Sequence, residues 1–282
     1  MLTAEQKKQF NDQGYLIIPN VLTRDQIRSL REFFRPKFDL PPDSRLPGDS
    51  DGYLFLPFSR YPEVRWLFFH EPMLQVLKSL FGERLAATPD DAVHLNGFGR
   101  WHRDTTSPEL DGHRFHYEDD YLVVTVAYYL QDNTPEYGGG LDIQPGTHLA
   151  RTDCFVAQRK ERMQKAQPGV LQKAWRKLSG SKETPGEFEL PDPKNVLSVP
   201  SKAGDLVVFD CRIHHRATPA REKTSSREHE KIAIFETYSR DNAHASASAN
   251  YSRGRKDYLH LKDFSWPADF RKQAEAAGIR LV

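Results

Sequence analysis

His102 and Asp104 stand two residues apart in the stretch Trp101-His102-Arg103-Asp104, and a histidine pair, His214 and His215, follows about a hundred residues downstream. Two imidazoles and one carboxylate are the donor set of a mononuclear non-heme Fe(II) site, which keeps further coordination positions open. In a β-strand residues i and i+2 share a face, so the spacing predicts that His102 and Asp104 grip one metal while Arg103 points away. The third ligand must come from another strand. Leu206, Val207, Val208 and Phe209 form a short apolar run after the turn-prone Ala203, Gly204 and Asp205, which predicts a strand leading to the histidine pair.

The motif needs company to carry weight. With 11 histidines and 39 acidic residues in 282 positions, roughly one or two His-x-acid pairs arise by chance. A second pair is present in His116-Tyr117-Glu118. It sits beside Asp119 and Asp120, ahead of the strand-like run from Tyr121 to Tyr129, and reads as a solvated acidic loop.

The elements that would position these ligands fall into a helical front and a β-rich body. Thr3 with Gln6 and Thr23 with Gln26 fit the capping-box pattern, each opening a helix. In the second, Ile27, Leu30, Phe33 and Phe34 recur at helical spacing and predict packing against the body. Residues 35–52 are rich in Pro, Gly and Asp and read as a loop. Met73, Leu74, Leu77, Leu80 and Phe81 predict a helix stopped by Gly82. From about Ala87 the pattern changes to short runs: His94 to Phe98, Tyr121 to Leu130, Leu141 to Gln144, Val196 to Val199, Leu206 to Phe209 and Lys231 to Tyr238. Such runs between turn signals suggest a sandwich or barrel. The Ala/Ser-rich tract from Ala243 to Ala249 reads as a loop.

Residues 151–195 interrupt the body. They hold Arg159, Lys160, Arg162, Lys165, Lys173, Arg176 and Lys177, and Leu171, Trp175 and Leu178 make an apolar stripe. The insert reads as a solvated helix docked by that stripe, or else as a lid or a basic surface for peripheral membrane contact.

Composition sets the bounds. A formal charge of +1 gives no field for nucleic acid. The sequence has no charged-then-apolar leader and no apolar stretch long enough to span a bilayer, which predicts a soluble, cytoplasmic protein. Two cysteines, Cys154 and Cys211, are too few for a disulfide framework, and Cys211 is expected to serve packing. The length suits one domain over 1–282: a helical front (1–85), a barrel (86–240) with the insert at 151–195, and a C-terminal extension (241–282). Nothing in the sequence sets an oligomeric state.

Four blocks in order give the chain a resemblance to the phytanoyl-CoA dioxygenase family of Fe(II)/2-oxoglutarate-dependent oxygenases. Leu2 to Phe10 with Gly14-Tyr15 to Leu22 is similar to that family's opening helix and strand. Trp101 to Asp104 resembles its metal-binding strand, Gly139 to His148 its turn and Pro-Gly-Ser/Thr-His element, and Gly204 to Arg216 its distal-histidine strand. The resemblance implies a mainly β fold with peripheral helices around a double-stranded β-helix (jelly roll, cupin-like) core. It implies His102, Asp104 and His215 as iron ligands and catalytic residues, with His214 as the alternative to His215. Fe(II), 2-oxoglutarate as cosubstrate and O2 are the implied cofactors, with succinate and CO2 released.

The resemblance also demands a cation for the far carboxylate of 2-oxoglutarate. Aligning the late strand by Tyr238 puts Lys231 where relatives usually carry arginine, with Arg227 next and Arg221 behind. Lysine can serve as a point charge without arginine's fork. Thr125 and Tyr129 would share a face with Ala127 and either could hydrogen-bond the cosubstrate, or simply line the barrel. His94 and Asn96 could line the same cavity, though a structural role suits His94 better. Asp104 separates the chain from halogenating relatives, which lack the carboxylate. The implied reaction is hydroxylation of an unactivated C–H bond, with desaturation or oxidative ring closure in natural-product biosynthesis open on the same scaffold. Arg100, Arg103, Arg212, Arg216 and Arg240 lean toward a small polar or anionic metabolite, sugar or glycolipid. Another class stays open, a non-catalytic jelly-roll module that binds a ligand or sugar. A complete triad with a cosubstrate cation would set the enzyme apart from it.

Overall fold

A computed structural model of the protein describes residues 1–97, 99–150, 193–222 and 226–282. The expectations for the insert at 151–195, with its basic residues and its Leu171, Trp175 and Leu178 stripe, lie outside these up to residue 192, as does Phe98.

Both capping boxes form. The Thr3 hydroxyl accepts from the Gln6 N–H at 3.2 Å while the Gln6 side chain accepts from the Thr3 N–H at 2.9 Å, opening α1 (Ala4–Gln13). Gly14 stops it at φ 82°, and β1 (Tyr15–Ile18) follows. Thr23 and Gln26 repeat the device at α2 (Arg24–Phe34), whose Leu30 and Phe34 are buried. Next come β2 (Tyr53–Phe55), α3 (Pro57–Arg60), α4 (Arg65–Phe68) and α5 (Glu71–Phe81), the last ended by Gly82 as its pattern predicts. Then follow β3 (Leu85–Ala87), β4 (Ala92–Leu95) and the short α6 (Thr106–Leu110).

The body continues with β5 (Val123–Tyr129), β6 (Leu141–Gln144), β7 (Leu197–Ser198), β8 (Leu206–Asp210), β9 (His214–Ala217) and β10 (Ile232–Arg240). The chain ends in α7 (Ala243–Gly254), α8 (Ala268–Ala276) and β11 (Ile279–Leu281). The expected loop at Ala243 to Ala249 is therefore a helix. The Asn242 side chain accepts from the N–H groups of His244 and Ala245, and alanine is the best helix former, so a capped Ala/Ser tract closes into α7.

The strands build two sheets. The larger runs β1-β8-β5-β10-β3-β11, with β4 on β10 and β2 on β4; the smaller runs β7-β6-β9. Strands β1 and β2 come from the front and β11 from the C-terminal extension. They cover edges of β8, β4 and β3 that would otherwise carry unpaired backbone groups.

The large sheet is buried on both faces. Val124, Val126, Tyr128, Val208, Ile234 and Tyr238 pack outward against Phe34, Leu77 and Phe270 of the helices. Ala127, Tyr129, Val207, Phe209 and Ala233 pack inward with Leu141 and Ile143 of the small sheet and with Val199 and Ile213. Double burial explains why these strands read as near-continuous apolar runs. Two facing sheets under a coat of helices make a double-stranded β-helix core. Among the described residues no helix is long and apolar enough to cross a membrane.

Candidate metal centre

His102 reaches the core by one β-bridge, not by a full strand. Its N–H donates to the His215 carbonyl and its carbonyl accepts from the His215 N–H, both at 2.9 Å. The Asp104 N–H donates to the Cys211 carbonyl at 3.1 Å, after which the chain turns into α6. The i, i+2 logic thus holds although the expected strand is reduced to a bridge, because two backbone contacts fix both residues against the distal histidine segment. Buried Glu109 secures the turn, accepting from the Thr105 hydroxyl at 2.5 Å and from the Tyr117 hydroxyl.

The donor atoms converge. His102 Nε2 lies 3.6 Å and His215 Nε2 3.4 Å from Asp104 Oδ1, and the three donor atoms fall within 4.8 Å of one another. Ligands about 2.1 Å from a first-row ion and at right angles to each other sit about 3 Å apart, so a small inward movement would complete a facial site. The imidazoles are oriented for it. His102 Nδ1 is 2.6 Å from the Arg100 carbonyl and His215 Nδ1 3.0 Å from that of Ile213. These contacts put the proton on Nδ1 and leave each Nε2 lone pair aimed inward. Burial, against the opposing pull of Asp104, pushes His215 down to about 4, which keeps it neutral. His214 faces the other way, with its ring 5.0 Å from that of Trp101 and Nδ1 3.4 Å from Gln144 Oε1.

The surroundings hold the ligands in place. The Thr125 hydroxyl donates to Asp104 Oδ2 at 2.9 Å and lies 3.3 Å from Cys211 Sγ. Burial keeps the Cys211 thiol protonated, far above its usual range. Thr125 therefore orients the Asp104 carboxylate, and it also lines the cavity between the sheets. The Pro-Gly-Thr-His turn supports the same segment. Thr147 accepts from Arg103 Nη2 at 2.6 Å through its carbonyl and from the His214 N–H at 2.9 Å through its hydroxyl.

The triad opens on a cavity of about 320 Å³ between the sheets. Lys231, Ala233, Phe235 and Thr237 line it from β10 and the residue before it, as a period of two requires. Lys231 is buried, and burial pushes its ammonium down to about 8. Asn96 fixes its backbone, accepting from the Lys231 N–H at 2.9 Å. A Cβ on Gly138 would sit 2.3 Å from the Thr218 carbonyl and 3.0 Å from Lys231 Nζ, so only glycine allows this turn beside the lysine at φ 62°. Tyr129 also lines the cavity, its hydroxyl made less acidic by burial. Arg227 stands exposed on the turn before β10, and Arg221 is exposed as well; neither lines the cavity.

Other expectations are corrected. The His116 pair is not a solvated loop: His116 is buried in a single 3-10 turn and pushed down to about 3 by burial, while Glu118 is exposed. None of Arg100, Arg103, Arg212, Arg216 and Arg240 lines the cavity. Arg212 pairs with Asp210 at 2.6 Å, and Arg216 with Asp142 at 3.1 Å while covering Trp101. Their lean toward an anionic substrate loses its basis. His94 does line the cavity, its ring 4.5 Å from Tyr53 and 4.6 Å from Phe235, and burial pushes it down to about 4.

Three cavity residues carry no sequence signal that would have singled them out: Tyr53 and Phe55 of β2, and Asp90 in the turn before β4. Burial, then the charges of Asp104 and Asp91, push the Asp90 carboxyl up to about 7.

Comparison with known proteins agrees with this geometry. The phytanoyl-CoA dioxygenase (PhyH) family model matches residues 10–228. HygX from Streptomyces hygroscopicus, solved with nickel and 2-oxoglutarate bound, superposes with a TM-score of 0.58 at 18% identity, covering 86% of this chain and 88% of its own. SnoK, a non-heme alpha-ketoglutarate-dependent carbocyclase from nogalamycin biosynthesis, gives 0.55 at 19% identity over 85% of this chain and 84% of its own. EvdMO1 gives 0.55 at 17% identity over 84% of this chain, which spans only 50% of EvdMO1. No curated protein matches the sequence.

Proposed function

The chain belongs to the phytanoyl-CoA dioxygenase family of Fe(II)/2-oxoglutarate-dependent oxygenases, and we propose that it hydroxylates an unactivated C–H bond of a small polar metabolite. The observation that carries the reading is the convergence of His102 Nε2, His215 Nε2 and Asp104 Oδ1 on one point at the wall of a cavity that Lys231 also lines. Iron bound there supplies the activation of dioxygen, coupled to conversion of 2-oxoglutarate to succinate and CO2. His102, Asp104 and His215 would hold it from one side. Lys231 would take the far carboxylate of the cosubstrate as a point charge, and Tyr129 flanks that end with a protonated hydroxyl. Thr125 would keep the second oxygen of Asp104 occupied, so that Oδ1 alone faces the metal.

A carbocyclase on the same fold keeps desaturation and ring closure as the second reading. The test is succinate release under Fe(II), 2-oxoglutarate and air across amine, sugar, acyl and natural-product substrates, followed by the product's mass. Gain of one oxygen atom is expected. Loss of two hydrogens would move the assignment to desaturation or cyclisation, and absence of 2-oxoglutarate turnover with every class would overturn the enzyme assignment in favour of a binding module.

A further inference from the structure

The cavity has a second polar end. Asp90 borders it near Asp104 and Thr237, and from these three a cleft of about 50 Å³ continues to Arg255 and Tyr258. Among the described residues the Asp90 carboxylate has neither a hydrogen bond nor an ion pair. Arg255, whose charge acts on it, is forked onto Asp257 by Nε at 2.9 Å and by Nη2. Lys231 is the one lysine or arginine lining the cavity among the described residues. Iron and Lys231 would be answered by Asp104 and the two carboxylates of the cosubstrate. Asp90 is left without a direct ion pair, and a half-buried carboxylate at a cavity wall gains from one.

The wall beside it is aromatic and continuous. The Tyr258 ring lies 5.3 Å from His260, which stacks on Phe55 at 4.0 Å. Phe55 stacks on Tyr53 at 6.5 Å, and Tyr53 meets His94. Tyr53, Phe55 and His94 face the main cavity with Phe235. Ring faces attract cations through their quadrupole, as the Arg255 guanidinium 4.0 Å from the Tyr258 ring already shows, and rings that line one cavity with a carboxylate suit an ammonium group. Tyr258 and His260 lie beyond the family match, which stops at residue 228, so part of this wall belongs to the chain's C-terminal extension.

We propose that Asp90 and the Tyr53, Phe55 and Phe235 rings form the substrate subsite, and that the substrate carries a protonated amine next to an apolar ring or chain. The proposal rests on the oxygenase reading and narrows its substrate class. It identifies Asp90 as a specificity-determining residue for an ammonium group.

The test uses three probes of one shape, cyclohexylammonium, cyclohexanol and cyclohexanecarboxylate, titrated calorimetrically into anaerobic protein holding Fe(II) and 2-oxoglutarate. The ammonium should bind about tenfold tighter than the alcohol, the worth of a charge-assisted hydrogen bond, and the carboxylate weakest. Asp90→Asn should erase that preference without changing 2-oxoglutarate affinity. Phe55→Leu should reduce it about threefold through loss of one ring face, so the test survives if the first variant fails to fold. Equal binding of ammonium and alcohol, tighter binding of the carboxylate, or no measurable binding of the ammonium at millimolar concentration would overturn the proposal. The visible iron–2-oxoglutarate charge-transfer band is read on the same samples. A band without ammonium preference rejects the subsite alone, whereas absence of the band rejects the oxygenase reading beneath it.

Discussion

The two faces of β10 show how one strand serves two purposes. Ile232, Ile234 and Tyr238 point outward into the helical core and are fully buried, while Lys231, Ala233, Phe235 and Thr237 look into the cavity. The outward face is mostly apolar, and each large apolar side chain there is worth about 1.5–3 kcal/mol of burial; it also buries Glu236, which accepts from the Tyr238 hydroxyl at 2.5 Å and is pushed up by burial. The inward face leaves a cavity of about 320 Å³ unpacked and places a lysine in it. Such a face is not arranged for stability. Alternation alone separates the two roles, so a one-residue slip of register would exchange them.

That contrast predicts mutations whose effects divide cleanly between metal, cosubstrate and stability. The largest effect should come from Asp104→Ala, lowering anaerobic Fe(II) affinity by more than about 100-fold, beyond the loss seen for supporting residues. Unchanged iron affinity by calorimetry would break the inward half of the comparison. Ile234→Ala on the outward face should cost about 2–5 kcal/mol in denaturant unfolding with iron affinity unaltered. A stability change below that range, or an altered iron affinity, would show that the two faces are coupled.

Lys231→Ala should weaken 2-oxoglutarate by about 10- to 100-fold, the worth of a hydrogen bond to a charged group. Its ammonium is pushed down to about 8 by burial, and the cosubstrate needs the charged form. Affinity should therefore be full below that pH and fall as pH rises through it, a dependence that Lys231→Ala removes. A flat profile in the wild type would move the clamp elsewhere. Smallest of all, Thr125→Val should lower iron affinity by about tenfold through loss of the bond to Asp104. Thr125→Ser should restore it, which a packing role for Thr125 would not predict.

The inward face was legible in sequence where chemistry leaves a spacing. His102 and Asp104 two apart, the Pro-Gly-Thr-His turn and a lysine seven residues before Tyr238 each mark a position on a strand or bridge. The capping boxes at Thr3 and Thr23 were equally plain, because capping is a local interaction. What stayed hidden depends on contacts across long stretches of chain. Thr125 serves Asp104 only because β5 lies beside the bridge to β9, and Asp90 and Phe55 line one cavity only because β2 pairs with β4. Arg212 and Arg216 misled for the same reason: their partners Asp210 and Asp142 are fixed by tertiary packing. At α7 the repetitive composition outweighed a correct local signal, since Asn242 followed by alanines is itself a helix start.

The account turns on iron held by this triad with room for the cosubstrate beside it. The most direct measurement is the visible spectrum of anaerobic wild-type protein with Fe(II) before and after 2-oxoglutarate, set against Asp104→Ala. A weak charge-transfer band that forms in the wild type and is missing in the variant is the predicted result. Iron-loaded wild type with no band, or a variant with the same band, would contradict it.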